Sequence, residues 1–400
     1  MIPARAGTFG LSAPGVLLAL FGFASLLAPF MTLAANRIVE GKGLTAWQLA
    51  GPEVIYPGLL SIIIGLILGL FSSWPRVRLA GAVLGLAGLF WLLSQSAPQL
   101  LQGAGEYARV SPGLGFWCLL AVLILLMADA LTQLSPRPMT RLGLLLTIVT
   151  VLFILLGSGA LSDLSIMKEY ASRQGAFYNA ALRHLGLAFG SLAAATVIGI
   201  PLGILCYHHA GLRRIALPIL SFLQTIPSLA MFGIMIPLLG WIASTVPAAK
   251  AIGIAGVGFA PAFLALLLYS LLPVVANMVS GLQSAPESVR DAARGMGMTL
   301  MQRLFRVELP LGLPVILAGL RIALVQNIGL AVIAGLIGGG GFGTFVFQGL
   351  NQTATDLILL GALPTVALAL TAAIVMDVLV EVTQPSQSAQ HTQGMPRKPS

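Results

Sequence analysis

Ten apolar stretches follow one another along this chain, each close to the roughly 20 residues a helix needs to cross a bilayer. No other feature constrains the fold as strongly. Backbone polar groups in hydrocarbon must be satisfied internally, so runs of this length are expected as helices. They fall at about 11–34, 54–71, 79–96, 113–133, 142–160, 180–206, 215–239, 256–281, 312–336 and 357–380. Hydrophobic residues fill 58% of the 400 positions and charged residues only 8%, too little charge for the surface of a water-soluble protein this size. The expected fold is all-α: a polytopic membrane protein with about ten transmembrane helices. The first run follows Arg5 and ends near Ala34-Ala35. It is long for a signal peptide and lacks a good cleavage site, which favours an uncleaved anchor.

The formal net charge of +9 needs no nucleic-acid partner, because its distribution follows the membrane. With ten spans and the N-terminus inside, 13 basic residues fall on inner segments and 7 on outer ones. Arg321 stands apart, within the ninth span. That bias puts both termini and the charged segment 284–310 in the cytosol. Cys118 and Cys206 then sit near opposite membrane faces, which excludes a disulfide between them. No grouping of His or Cys has metal-ligand spacing, and His208-His209 beside Arg213-Arg214 is read as interfacial structure. Neither a metal nor a cofactor is expected.

Three regions are expected. Residues 1–160 hold five apolar spans with small-residue spacings, Gly65/Gly69 and Gly81/Gly85, that favour close helix packing. Residues 161–383 hold the polar features, after a linker with an amphipathic helix around Ile166–Tyr178. Residues 384–400, rich in Gln, Ser, Pro and His, read as a disordered tail.

The segment Ser284–Pro314 is the longest charged interval, with Arg290, Arg294, Arg303, Arg306, Glu287, Asp291 and Glu308. Ser284 with Glu287, and Thr299 with Gln302, have capping-box spacing. Gly295 and Gly297 between them suit a helix end, and Pro310 and Pro314 reset the chain. A short helix, a glycine turn and a second short helix are expected. Val289, Ala292, Ala293 and Met296 form an apolar stripe on the first. Its geometry fits a helix-in-groove contact with a partner and equally a helix lying on its own membrane domain.

Asp291-Ala292-Ala293, Gly297 and Val307-Glu308-Leu309-Pro310 have the spacing of the EAA loop. The segment therefore resembles the loop of bacterial ABC-importer permeases whose pattern is E-A-A, three residues, Gly, nine residues, I-x-L-P, with Asp for Glu and Val for Ile. The resemblance implies a type I ABC-importer permease core in the C-terminal half. It makes Val289, Asp291, Ala292, Ala293, Met296, Gly297, Glu308 and Pro310 the coupling loop that docks a cytosolic ABC ATPase dimer. It further implies a second permease subunit, identical or not, an extracellular or periplasmic substrate-binding protein, and the bacterial inner membrane. IGIPLGI, QTIPSLA, LYSLLPVVANMVSGL, DAARGMGM, RVELPLGLPVILAGLRIA and IGGGGFG are similar to osmoprotectant permeases for glycine betaine, choline or carnitine. The added N-terminal spans resemble the long subunit of the Yeh-type betaine systems.

Pro227 and Pro273 fall within apolar runs and free backbone groups that protein or a water-lined cavity must satisfy. Under the permease reading, Gln224, Ser228, Asn277, Gln326 and Asn327 are the polar candidates for a translocation path. Phe222, Phe232, Trp241 and Tyr269 offer aromatic faces to a quaternary ammonium. Arg321 and Asp377 are intramembrane charges that either pair or reach interfacial water separately. Ile337–Gly343 follows a membrane helix rather than a strand, so it reads as a flexible gate or re-entrant turn and not a phosphate loop. None of the four lysines lies in a G-x-x-x-x-G-K-[ST] context, so ATP hydrolysis is expected from a partner and the chain is not itself an enzyme. The alternatives are a permease for another small polar solute, such as an amino acid or other quaternary amine, or an ion-coupled secondary transporter. The latter lacks the midplane acids and internal repeat it would favour.

Overall fold

The computed structural model describes residues 12–37, 39–71, 74–251 and 253–384. The tail beyond Gln384 and the segment around Arg5 lie outside the described residues. Eight helices have the length and composition to cross a membrane, and two shorter apolar helices, Ala13–Ser25 and Pro52–Leu68, accompany them. The chain forms two compact units. The first runs to Gln174 and takes in Gly349–Leu357; the second spans Gly175–Gln348 and resumes at Ile358.

The first unit contains α1 (Ala13–Ser25), α2 (Pro52–Leu68), α3 (Pro75–Leu101), α4 (Leu114–Leu134), α5 (Pro138–Gly157) and α6 (Ser165–Ser172). Four of these, α1, α2, α3 and α5, begin with proline in the first turn. The missing N–H is an unbonded donor there in any case, and the fixed φ is already helical. The α2–α3 contact is made by glycines: a Cβ on Gly65 would stand 2.6 Å from the Gly81 carbonyl oxygen and 2.9 Å from the Gly85 Cα. Larger side chains keep to the flanks of that contact, where Ile62, Leu66, Leu89 and Leu92 fill the core with Leu119, Leu123 and Leu126 of α4. Arg78, counted with the inner-surface charges, is instead fully buried on α3 and ion-paired with Asp129 of α4.

Two expectations for this unit need correction. The first apolar run is not one long helix: α1 stops at Ser25, and Met31–Ala34 forms strand β1. With β2 (Lys42–Leu44) and β3 (Arg109–Pro112) it makes a three-stranded antiparallel sheet of order β2-β1-β3, pairing Met31 with Leu44 and with Pro112. Strands of three or four residues carry too little alternation to be read beside an apolar helix. The amphipathic linker helix is also shorter than 166–178, ending at Ser172 before the next helix begins.

The second unit contains α7 (Gln174–His208) from Gly175 on, α8 (Ala210–Thr225), α9 (Ser228–Thr245), α10 (Pro247–Ala251), α11 (Phe259–Gln283), α12 (Glu287–Gly295), α13 (Leu300–Arg303), α14 (Leu309–Leu330), α15 (Gly343–Asn351) up to Gln348 and α16 (Thr355–Thr383) from Ile358 on. Its centre is α11, whose buried residues include Ala265, Leu266, Tyr269, Val275, Met278 and Leu282. The α11–α14 crossing is tight at Gly281 and Gly312, where a Cβ on Gly312 would collide with the Gly281 carbonyl oxygen. The run 215–239 is not a single span. It breaks at Ile226-Pro227, because a residue before proline is driven to extended geometry, and Ile226 has φ −68° and ψ 127°. The membrane-crossing helix there is α9, shifted toward the C-terminus, and α8 precedes it.

Candidate functional site

The loop between α11 and α14 is built from caps. Ser284 and Glu287 do not form a capping box. The Ser284 hydroxyl turns back and donates to the Gly281 carbonyl (2.7 Å) at the end of α11. Helix α12 starts after Pro286 instead. At its other end, Met298 N–H donates to the Ala293 carbonyl (3.1 Å) and Gly297 N–H to that of Arg294 (2.9 Å). Those two bonds are a Schellman motif, and Gly297 takes the left-handed conformation it requires, with φ +75°. Two residues on, Thr299 and Gln302 close a reciprocal capping box: Gln302 N–H to Thr299 Oγ1 at 3.3 Å, Thr299 N–H to Gln302 Oε1 at 2.9 Å.

This loop exposes apolar side chains. Of the α12 stripe only Ala293 is buried; Val289, Ala292 and Met296 are open, and Met296 is 74% exposed. Leu300, Met301 and Phe305 continue the exposed apolar surface at 62%, 65% and 57%. Asp291 and Arg294 form an exposed i,i+3 pair at 3.1 Å. Arg290 Nη1 donates to the Tyr207 hydroxyl at the foot of α7 (3.2 Å). Tyr207 thereby raises the Arg290 pKa above its ordinary value.

Leu304–Glu308 is a single π-turn joining α13 to α14, closed by Leu309 N–H on the Leu304 carbonyl. Pro310 follows at the start of α14 and has no N–H to give the Arg306 carbonyl, so the ladder cannot run through here as a regular α-helix. The wider turn brings Glu308 under Arg303: Arg303 Nε donates to Glu308 Oε1 at 2.7 Å, with Glu308 fully buried. Single π-turns of this kind concentrate at functional sites. The sequence reading included Glu308 but missed its partner, because an i,i+5 pair belongs to no regular helix face.

The polar path candidates divide by what they bond. Pro273 deprives the Tyr269 carbonyl of its helical partner, and Gln224 Nε2 donates to that carbonyl at 2.7 Å. In return the Tyr269 hydroxyl donates to the Ile226 carbonyl, at the α8–α9 break. Each proline defect is thus satisfied from the segment carrying the other. Asn277 Nδ2 donates to the Pro273 carbonyl (2.8 Å) and packs directly on Gly319 of α14. Asn327 is fully buried, its Nδ2 donating to Ser191 Oγ of α7 at 2.9 Å, while its Oδ1 has no hydrogen-bond partner. Ser228 and Gln326 are half-buried. Among the described residues no hydrogen bond joins any two of the five. The aromatic candidates separate too: Phe232 and Tyr269 are core residues, Phe222 and Trp241 exposed.

Arg321 of α14 and Asp377 of α16 form an ion pair through Arg321 Nη1 and Asp377 Oδ1. The glycine-rich stretch is a turn in which Gly338, Gly340 and Gly341 all have positive φ, between a 3-10 turn at Ile333–Ile337 and α15. His184, fully buried on α7, accepts from Phe342 N–H at Nδ1 (3.4 Å), and its ring lies 5.0 Å from that of Phe342. Phe177 packs on Phe342 and Phe345 at 5.4 and 6.2 Å. Sequence reasoning assigned His184 no role, since a lone histidine at the start of an apolar run carries no pattern.

Among the described residues no His, Cys, Asp and Glu side chains group as metal ligands. The polar geometry concentrates instead in a capped amphipathic loop between two membrane helices and in bonds that repair helix breaks, the make-up of a transport subunit. Residues 195–388 match the family described as binding-protein-dependent transport system inner membrane component, and residues 12–167 match the N-terminal domain of the ABC transporter permease YehY. The osmoprotectant import permease protein OsmW of Salmonella typhimurium is 42% identical over 202 residues, which cover 50% of this chain and 87% of OsmW. The carnitine transport permease protein OpuCB of Listeria monocytogenes is 37% identical over 188 residues, 47% of this chain and 79% of that one. A solved chain of the MetNI methionine ABC transporter in an inward-facing conformation is 24% identical and covers 52% of this chain and 97% of its own length, with a TM-score of 0.46. The chain belongs to the binding-protein-dependent transport system inner membrane component family, as a multi-span permease subunit of an ABC importer.

Proposed function

We propose that this permease carries a small osmoprotectant, a quaternary ammonium compound such as glycine betaine, choline or carnitine, into the bacterial cell. The observation that carries the reading is the 42% identity to an osmoprotectant import permease across nearly the whole of that relative. In this reading both termini and the Glu287–Glu308 loop face the cytosol. The exposed Val289, Ala292, Met296, Leu300 and Met301 enter a cleft of a separate ABC ATPase, and Asp291–Arg294 borders that contact. Burying such side chains is favourable at about 25 cal/mol per Å² of apolar surface. The buried Arg303–Glu308 pair fixes the angle between the loop and α14, so ATP-driven movement of the loop is passed to α14 rather than absorbed. The chain itself neither binds nor hydrolyses ATP.

A second copy or a related permease completes the path, and an extracellular binding protein delivers the solute. Gln326 and Ser228 remain the candidates with polar atoms available to the path. Gln224, Asn277 and Asn327 support its walls through the bonds described above. Uptake of labelled glycine betaine, choline, carnitine and proline tests the reading in a strain stripped of its own osmoprotectant systems and given the complete importer. Uptake of a quaternary amine, with growth rescue at high osmolarity, is expected. Uptake confined to an amino acid or another amine would replace the solute class and leave the permease role standing.

A further inference from the structure

We infer that Tyr207, at the foot of α7, is a positioning residue for ATP-driven transport. Its hydroxyl, bonded to Arg290, sets the roll of α12 about its own axis and so decides which side chains the loop presents. The coupling role of the loop is taken from the proposed function; the identity of the solute is not needed.

Helix α12 is mounted the reverse of an ordinary surface helix. It has nine residues, too few to be stable alone in water, and an amphipathic helix normally gains support by burying its apolar stripe. Here Val289, Ala292 and Met296 of the stripe are exposed, and the inward side is made by the buried Ala293 and the half-buried Arg290. Positions 290 and 293 are three apart and share a face. Alanine offers a single methyl group, which tolerates several rotations of the helix. Arg290 does not: its Nη1 donates to the Tyr207 hydroxyl at 3.2 Å, and its Nε is cut off from solvent without a hydrogen-bond partner. A charged donor makes the stronger kind of hydrogen bond, so the direction of this side chain fixes that of the helix. The other charges of α12 turn outward. Glu287 is exposed, and Asp291 and Arg294 are paired with each other.

Tyr207 is itself held in place. Gly203 lies one turn before it on the same face of α7, and a Cβ there would stand 2.6 Å from the Met278 Cβ, so α7 runs close against α11. The Tyr207 ring then packs on the cluster of Met278, Leu282, Leu304 and Ile316, which joins α11, the π-turn and α14. Every group in this contact belongs to the second unit. The loop is thus tied to α14 through Arg303–Glu308 and to α7 through Arg290–Tyr207. Glu287, three residues before Arg290 and open to solvent, already attracts the guanidinium. Without the Tyr207 hydroxyl, Arg290 turns out to Glu287, and α12 rolls Ala293 toward water.

The test uses the full chain in lipid nanodiscs, with Cys118 and Cys206 replaced by serine and a single cysteine placed at Ala292 or Ala293. Ala292→Cys should react with a maleimide at least tenfold faster than Ala293→Cys. Tyr207→Phe keeps the ring and its packing and removes only the acceptor; it should bring the two rates within threefold of each other. Arg290→Met should do the same, and combining the two changes should add nothing, because both act through one bond. A parent-like ratio in Tyr207→Phe would overturn the positioning role, as would a further fall in the double variant. Equal acceleration of both cysteines would overturn it as well, since that is general loosening rather than a roll. Titration of the ATPase onto the same nanodiscs reads the consequence: its dissociation constant should rise at least fivefold in Tyr207→Phe. A collapsed ratio with an unchanged dissociation constant leaves Tyr207 setting the roll and counts against the coupling reading alone.

Discussion

Gly297 shows how much one residue decides here. It stands in a left-handed conformation between a Schellman motif and a capping box, and nothing lies within 4 Å of where its Cβ would be. A substitution is therefore felt through the backbone alone. Alanine in that conformation costs about 1–2 kcal/mol, and a β-branched residue resists it further. Gly297→Val should insert and fold, yet unwind the end of α12 and lower both ATPase co-purification and uptake at least tenfold. Ala292→Glu should give the same loss by putting a bulky charge into the exposed stripe. Transport at the parent rate in both variants would remove the coupling role. Gln224 is a different kind of residue, placed to repair a neighbour. Gln224→Leu leaves the Tyr269 carbonyl without its donor, and a buried unpaired polar group costs about 1–3 kcal/mol. A lowered melting temperature of the detergent-purified protein is expected, and an unchanged one would mean that water serves the carbonyl equally well.

Among the elements, the π-turn at Leu304–Glu308 carries the sharpest prediction. Breaking a buried ion pair from one side costs about 3–5 kcal/mol, whereas replacing both partners by apolar residues of similar volume is often neutral. Glu308→Ala should therefore be strongly destabilised, and Arg303→Met with Glu308→Leu should recover most of the stability. If the double variant is as unstable as the single one, the pair is needed for more than mutual neutralisation. Elements also show what a sequence can reveal. The Thr299–Gln302 cap and the Gly297 turn were legible because each depends on residues three or four apart, within one turn of helix. The Ser284–Glu287 box has the same spacing and failed, because the helix starts only after Pro286 and the Ser284 hydroxyl is taken by the Gly281 carbonyl. The break at Ile226-Pro227 was marked by its proline, but hydropathy alone joined α8 to α9. The pairings Gln224–Tyr269, Asn327–Ser191 and Arg37–Glu169 were hidden because their partners are 45, 136 and 132 positions apart, and no local pattern encodes such contacts.

At the scale of the whole molecule, the topology follows from counting helices along the chain. Ten apolar helices are described, eight of full length and two short. At 1.5 Å per residue, α1 is about 20 Å long and α2 about 26 Å, against a hydrocarbon core of about 30 Å. From α11 onward each candidate crossing helix exceeds that thickness, at 25, 22 and 29 residues for α11, α14 and α16, so the segment holding Lys250 and the Glu287–Glu308 loop are expected to be separated by one crossing, α11. In the proposed topology two further crossings, α14 and α16, follow the loop, so Gln390 is expected on the same side as the loop. The burial of Arg78 removes one charge from the inner count and leaves the bias unchanged in sign. In a background with Cys118 and Cys206 replaced by serine, Lys250→Cys should react with an impermeant thiol reagent added outside intact cells. Gln390→Cys and Arg294→Cys should react only after the membrane is opened. Labelling of Lys250→Cys and Gln390→Cys from the same side would mean that one of α11, α14 and α16 does not cross. Labelling of Arg294→Cys from outside would place the loop beyond the reach of a cytosolic ATPase and end the coupling proposal with it.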